Sequence, residues 1–303
     1  MSNLRDSLFI VPGMPRSGTT FLYHNLQRHP GLYFAFRKES NYFCVNHGKG
    51  FGWFERLFAD RAPHQRCGDI SPYYWLDEAS VARIEAFNPE APVVAGVRRP
   101  SEVALSLYTQ TMTQAYGVPP FARFIEEYTF DVAGRPLPVR LRDGILTRML
   151  DRYREALGAR MLLFEYDFFK CDRLAVLRAI EQFLGLPAHF TPDNFDDVLI
   201  NAGNRRGFKP LTVALRNEWL IKALERTLPH AAIRRMRGRM DASSASEASA
   251  PPPPGTRTPE NEALAREAFA EEDARVEALF AGGGLLHGNG EAFAQAETGE
   301  TAS

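Results

Sequence analysis

The segment Gly13-Met14-Pro15-Arg16-Ser17-Gly18-Thr19-Thr20 sets two glycines, one cation and three hydroxyls between the apolar run Leu8–Val11 and a helical stretch that starts at Thr19. Glycines let a backbone turn its N–H groups inward, and a helix N-terminus adds positive potential, so an anion of the phosphate type fits there. The spacing is that of a phosphate-binding loop, G-x4-G-x-[ST], except at one position. Where nucleoside triphosphatases carry the lysine that reaches the β- and γ-phosphates, this chain has Thr19, and its loop cation is Arg16. A second cluster follows the apolar run Pro92–Val97, where Arg98 precedes Ser106 by two helical turns. A guanidinium offers an anion a forked pair of donors. Between the two clusters, Arg37-Lys38-Glu39-Ser40-Asn41-Tyr42-Phe43 joins a carboxylate to a cation. A carboxylate can serve as a general base, and a cation can stabilise developing negative charge.

These groups need a scaffold. Short apolar runs at Leu8–Val11, Leu32–Phe36, Pro92–Val97 and Met161–Tyr166 read as buried strands. Helical patterns lie between them, from Thr19 to about His29 and at Asp77–Ala86, Ser101–Gln114, Leu146–Leu157 and Leu174–Leu184. The alternation predicts an α/β fold of three layers, a central parallel sheet flanked by helices. The stretch DASSASEASAPPPPGTRTP cannot bury apolar area, so the chain divides into a body over 1–240 and a linker over 241–259. Thr258-Pro259 reads as a helix start, and Leu264, Ala268, Phe269, Val276, Leu279 and Phe280 predict an amphipathic helix over 260–281. Residues 282–303 are expected to be a disordered tail.

The 303 residues carry a formal charge of −1, which conceals a division. Residues 1–240 hold 33 bases against 25 acids, and 241–303 hold 3 against 12. A basic body favours an anionic ligand. No apolar run approaches the roughly 18 residues of a membrane span, and Leu8–Pro12 is too short for the core of a secretion signal. Cys44, Cys67 and Cys171 are odd in number and scattered, so neither a disulfide framework nor a metal site is expected, and a reducing cytoplasm is. The arginines of His230–Arg239 lack interleaved aromatics, so no nucleic-acid partner is expected.

PRSGTTFL resembles the 5′-phosphosulfate loop of sulfotransferases that use 3′-phosphoadenosine 5′-phosphosulfate (PAPS), and VVAGVRRPSEVALSLY resembles their 3′-phosphate motif. The segment Lys38–Phe43 is similar to the K-E-x-x-[YF]-F segment of the carbohydrate-type members. The resemblance extends from residue 8 to about 220 and implies a sulfotransferase fold of the P-loop NTPase type. It implies that Arg16, Ser17, Gly18, Thr19 and Thr20 hold the 5′-phosphosulfate, that Arg98 and Ser106 hold the 3′-phosphate, and that Glu39 is the base. Asn201–Lys209 resembles the loop that closes over the nucleotide, which adds Arg205, Arg206 and Gly207. Cys67–Tyr73 is similar to the family's G-E-K-T-P-x-Y segment. It makes Asp69 a second candidate base and sets Ile70 where some heparan-type enzymes carry lysine. The implied reaction moves a sulfuryl group from PAPS, without a metal, to a hydroxyl or amine of a carbohydrate, lipid or small molecule, and releases 3′,5′-ADP. Two other readings stand beside it. One is a P-loop kinase of small molecules with Leu162–Glu165 as its metal-holding strand. The other is a non-catalytic nucleotide-binding scaffold that presents its tail helix to a partner. The oligomeric state is left open.

Overall fold

A computed structural model of the chain describes residues 3–35, 38–197 and 255–295. The strands are β1 (Leu8–Val11), β2 (Leu32–Phe34), β3 (Arg66–Ile70), β4 (Val93–Val97), the hairpin pair β5 (Tyr128–Val132) and β6 (Arg135–Val139), β7 (Met161–Glu165) and β8 (Leu285–His287). Six of them form one sheet in the order β2-β3-β1-β4-β7-β8. The first five run parallel, and β8 closes the edge antiparallel to β7. The helices are α1 (Leu4–Ser7), α2 (Thr19–Leu26), α3 (Phe51–Arg56), α4 (Ala79–Phe87), α5 (Pro100–Gln114), α6 (Phe121–Glu126), α7 (Ile145–Leu157), α8 (Tyr166–Cys171), α9 (Arg173–Phe183), α10 (Pro259–Ala268) and α11 (Ala270–Leu279).

Strand alternation sorts the core into two halves. Leu8 and Ile10 of β1, Val93 and Ala95 of β4, and Met161 and Leu163 of β7 face one cluster, with side chains of α4 to α7, α10 and α11. Phe9, Val11, Val94, Leu162 and Phe164 point the other way, onto α2, Phe169 and α9. With period-2 side chains, a strand buried on both faces must be apolar throughout, which is why these runs are so short and so uniformly hydrophobic. All the parallel strands then end on one side of the sheet, where the loops after β1, β2, β3 and β4 carry the candidate residues.

Four features differ from the sequence expectation. The strand at Leu32–Phe36 stops at Phe34, and 36–37 lie outside the described residues. β3, interrupted by Gly68 and Asp69, and the β5–β6 hairpin, whose buried Phe130, Val132, Leu137 and Val139 alternate with exposed residues, are strands that the sequence expectation lacks. The single helix over 260–281 is two, since Phe269 leaves helical geometry (φ −120°, ψ 17°) and buries its ring. The tail is not wholly disordered: Leu285, Leu286 and His287 pair with Phe164, Leu163 and Leu162, because the outer edge of β7 needs a partner for its backbone groups. The predicted helix start holds, with the Thr258 hydroxyl accepting the Asn261 amide at 3.2 Å and Pro259 in the first helical position. Ala265, Phe269, Val276 and Phe280 join the same core cluster as β1 and β4, so the body is not confined to residues before 240. No described helix is long and apolar enough to cross a membrane.

Two outcomes follow from this packing. Leu286→Ala is expected to lower stability by about 2–5 kcal/mol in urea unfolding, whereas a disordered tail would leave the midpoint unmoved. Burial pushes the Cys44 thiol up to about 12 and the Cys67 thiol to about 11, while Cys171 is exposed. A disulfide-exchange reagent at neutral pH is therefore expected to titrate one thiol in the native protein and three after denaturation.

Candidate functional site

The loop between β1 and α2 is shaped by close backbone contacts. Its Met14 amide donates to the Gly96 carbonyl of β4 at 3.0 Å. A side chain at residue 96 would bring its Cβ within 2.6 Å of the Ser17 carbonyl oxygen, so glycine there is what lets the loop cross β4. Arg16 (φ 65°) and Gly18 (φ 87°) take left-handed backbone, and Gly18 caps the N-terminus of α2. The Ser17 hydroxyl is buried with no hydrogen-bond partner among the described residues. An unpaired buried hydroxyl is costly, and a bound anion at the loop would supply its acceptor.

The two phosphate motifs, far apart in sequence, meet here because β1 and β4 are neighbours. The Arg16 Nε donates to the Ser106 hydroxyl at 3.0 Å, and an Arg98 Nη donates to the Arg16 carbonyl at 3.1 Å. Arg98 also lies 4.4 Å from the centroid of the Tyr166 ring and donates to Glu102 at 2.9 Å. Burial and then the Arg98 guanidinium lower the Arg16 pKa, yet a guanidinium remains a cation at neutral pH. A cleft of about 150 Å³ beside Arg98 is lined by Arg99, Glu102, Tyr166 and Lys170, among others. That volume is below the roughly 300–1,000 Å³ of a complete small-molecule site, and its lining sets Arg98, Arg99 and Lys170 beside the carboxylates of Glu102, Glu165 and Asp167. A nucleotide with anionic 5′ and 3′ ends fits this set of residues.

The carboxylate segment comes from the loop after β2. Lys38 donates to the Thr20 hydroxyl at 2.8 Å, and its amine lies 3.5 Å from a Glu39 oxygen. An ammonium thus stands at the first turn of α2 although the phosphate loop has Thr19 in place of lysine. Glu39 is about one-third exposed, at 32%, and so open to a substrate. Asp69 is not: its carboxylate is buried at the end of β3, with three hydroxyl groups donating to it. Its carboxylate serves three hydroxyl donors inside the protein, whereas that of Glu39 is partly open to solvent. Arg205, Arg206 and Gly207 lie outside the described residues.

Three further residues join the site. Tyr166 opens α8, directly after β7, and forms a floor for Arg98, a role hinted at only by an aromatic residue just past the carboxyl end of a parallel strand. Burial, then the charge of Glu39, pushes the Tyr73 phenol up, while Arg16 offsets part of the rise. Arg257 donates to Glu102 at 2.7 Å, so one carboxylate serves two guanidiniums. Burial would raise the Glu102 carboxyl, but Arg257 and Arg98 outweigh it and hold it below the usual range. Nothing near Arg257 in sequence marks it, because its partner is 155 residues away. His29 is buried between the Pro187 carbonyl and the Gly31 amide.

No family model matches the chain. The heparan sulfate glucosamine 3-O-sulfotransferase 3B1 of Homo sapiens is 26% identical over 195 residues, which cover 61% of this chain and 48% of that protein. The heparan sulfate glucosamine 3-O-sulfotransferase 5 of Homo sapiens is 27% identical over 193 residues, covering 61% and 55%. The chain thus spans about half the length of the curated relatives it matches. Among solved structures, a sulfotransferase from Alicyclobacillus acidocaldarius superposes with a TM-score of 0.50 at 19% identity, over 62% of this chain and 87% of that one. With the Arg16 loop and Arg98 joined at the ends of adjacent parallel strands, the chain is similar in sequence to these sulfotransferases and shares the fold of the solved one.

Proposed function

We propose that the chain is a sulfotransferase that takes a sulfuryl group from PAPS and passes it to an acceptor hydroxyl. The observation that carries this reading is the hydrogen-bonded junction of Arg98, Arg16 and Ser106 around a loop whose Ser17 hydroxyl has no described partner. PAPS supplies an activated sulfuryl group whose transfer leaves 3′,5′-ADP. Arg16 and the backbone of Ser17, Gly18, Thr19 and Thr20 hold the 5′-phosphosulfate end, where helix α2 adds its positive terminus. Arg98 and Ser106 hold the 3′-phosphate, and Arg205, Arg206 and Gly207 are assigned to the same nucleotide by their motif. Glu39 accepts the proton of the acceptor hydroxyl, since an alcohol is a weak nucleophile until a base removes that proton. Lys38, fixed on Thr20, stabilises the negative charge that grows on the departing bridge oxygen.

For the acceptor we propose a glycan or another hydroxyl-bearing small molecule. The relatives named for heparan sulfate support the glycan. Ile70 is buried at the end of β3, so that position offers no cation to a polyanionic chain. The kinase reading is not favoured: Thr19 lacks the lysine charge, and Glu165 ends a strand separated from β1 by β4. The scaffold reading loses its basis too, because α10 and α11 bury their apolar residues against the body instead of presenting them.

Arg98→Ala is expected to weaken 3′,5′-ADP binding by about 10- to 100-fold, the loss of charge-assisted hydrogen bonds worth roughly 1.5–3 kcal/mol, while 5′-AMP binding changes little. Calorimetry with both nucleotides checks this, and equal losses would argue against a 3′-phosphate at Arg98. In thermal shift, PAPS and 3′,5′-ADP are expected to raise the melting temperature more than Mg-ATP does; the reverse order would restore the kinase.

A further inference from the structure

We infer that Asp69 is a positioning residue: through two serine hydroxyls it holds the strained turn that presents the Glu39 carboxylate. The inference rests on the sulfotransferase reading and gives a task to a buried acid that the reaction itself does not touch.

The turn is unusual at two of three consecutive residues. Glu39 (φ 63°) and Asn41 (φ 50°) both take left-handed backbone, which side-chain-bearing residues avoid, and Ser40 stands between them. Only Arg16 in the phosphate loop and Ala133 in the β5–β6 turn share this conformation among the described non-glycine residues. Strain of this kind persists where surrounding contacts over-determine it. Here the contacts converge on Asp69. Its Oδ2 accepts from the Ser40 hydroxyl at 2.8 Å and from the Tyr74 hydroxyl at 2.6 Å, and its Oδ1 accepts from the Ser71 hydroxyl at 3.1 Å.

Each serine passes the restraint on to the turn. Ser40 Oγ accepts the Tyr42 amide at 3.1 Å, and Ser71 Oγ accepts the Asn41 amide at 3.1 Å. Two side-chain amides complete the frame, as Asn46 donates to the Ser40 carbonyl at 2.8 Å and Asn41 donates to the Glu39 carbonyl at 3.1 Å. Ser40, Ser71, Tyr74 and Asp69 are all buried, so water cannot substitute for any of these bonds. A carboxylate is the right group for the centre, because it accepts on both oxygens and donates on neither. Asp69 is itself fixed to the sheet, opposite Ile10 of β1, one residue before the strand leads into the phosphate loop. The base and the anion loop are thereby referenced to the same two strands. A misplacement of about 1 Å at a reacting group can lower a rate by about 100-fold.

The test uses water as the acceptor, so it does not depend on knowing the natural one. Release of 3′,5′-ADP from PAPS is followed against pH for the wild type, Asp69→Asn, Ser40→Ala and Glu39→Gln, with 3′,5′-ADP affinity and amide exchange at Asn41 and Tyr42 measured on each. Asp69→Asn and Ser40→Ala are expected to slow release by about 10- to 100-fold, to keep nucleotide affinity within about threefold, and to retain the acid limb of the pH profile. Exchange at the two amides should quicken while that of Ile10 does not. Glu39→Gln should lose the acid limb. Unchanged release in Asp69→Asn overturns the inference, as does loss of the acid limb in Asp69→Asn with its retention in Glu39→Gln. A wild type that binds Mg-ATP and neither PAPS nor 3′,5′-ADP overturns the sulfotransferase reading, and the inference with it.

Discussion

Position 96 has to be bare. The chain leaving β1 crosses directly in front of β4, and the Ser17 carbonyl occupies space that any β-carbon on residue 96 would enter. With that space open, the Met14 amide bonds to Gly96 and the loop settles close enough for Arg98 to reach the Arg16 carbonyl. The Arg16 side chain then extends to Ser106 on α5. One absent side chain in the middle of a buried strand thus sets the distance between two anion-binding groups that the sequence separates by some eighty residues.

The electrostatics follow from the same closeness. Burial, and after it the charge of Arg98, disfavours the Arg16 cation. Glu102, the carboxylate hydrogen-bonded to Arg98, is divided between Arg98 and Arg257, and Glu39 adds its charge near Arg16. Like charges held at short range by a rigid backbone form a site that is improved by an anion. The exposed pairs elsewhere, such as Arg148 with Glu78 and Arg142 with Glu126, are of a different kind. Solvent screens them, and they add little to stability.

Much of this could be read from the residues alone. Strand runs that are buried on both faces are apolar at every position, so β1, β4 and β7 were visible, and the phosphate loop was marked by its glycines. Arg98 and Ser106 were marked by position after a strand. What stayed hidden was relational. β3 carries glycine and aspartate because it packs under aromatic rings and anchors a turn, and neither task leaves a hydropathy period. Asp69 looked like a candidate base because a sequence displays the carboxylate and conceals its burial. Arg257 and β8 are defined by partners more than a hundred residues earlier, Glu102 and β7, and no local pattern announces them.

The start of α5 shows how tightly the two ends of the chain are bound together. Arg99, which precedes this helix, offers no side-chain cap, and the carboxylate of Asp273 on α11 receives both the amide and the hydroxyl of Ser101. A helix that carries Ser106 is therefore finished by a residue from the far end of the chain. Positions 101 and 273 form one heritable unit. In diverging descendants they should change together, and a lineage that lost the C-terminal helices would have to acquire a new cap at residue 99 or leave that donor to solvent.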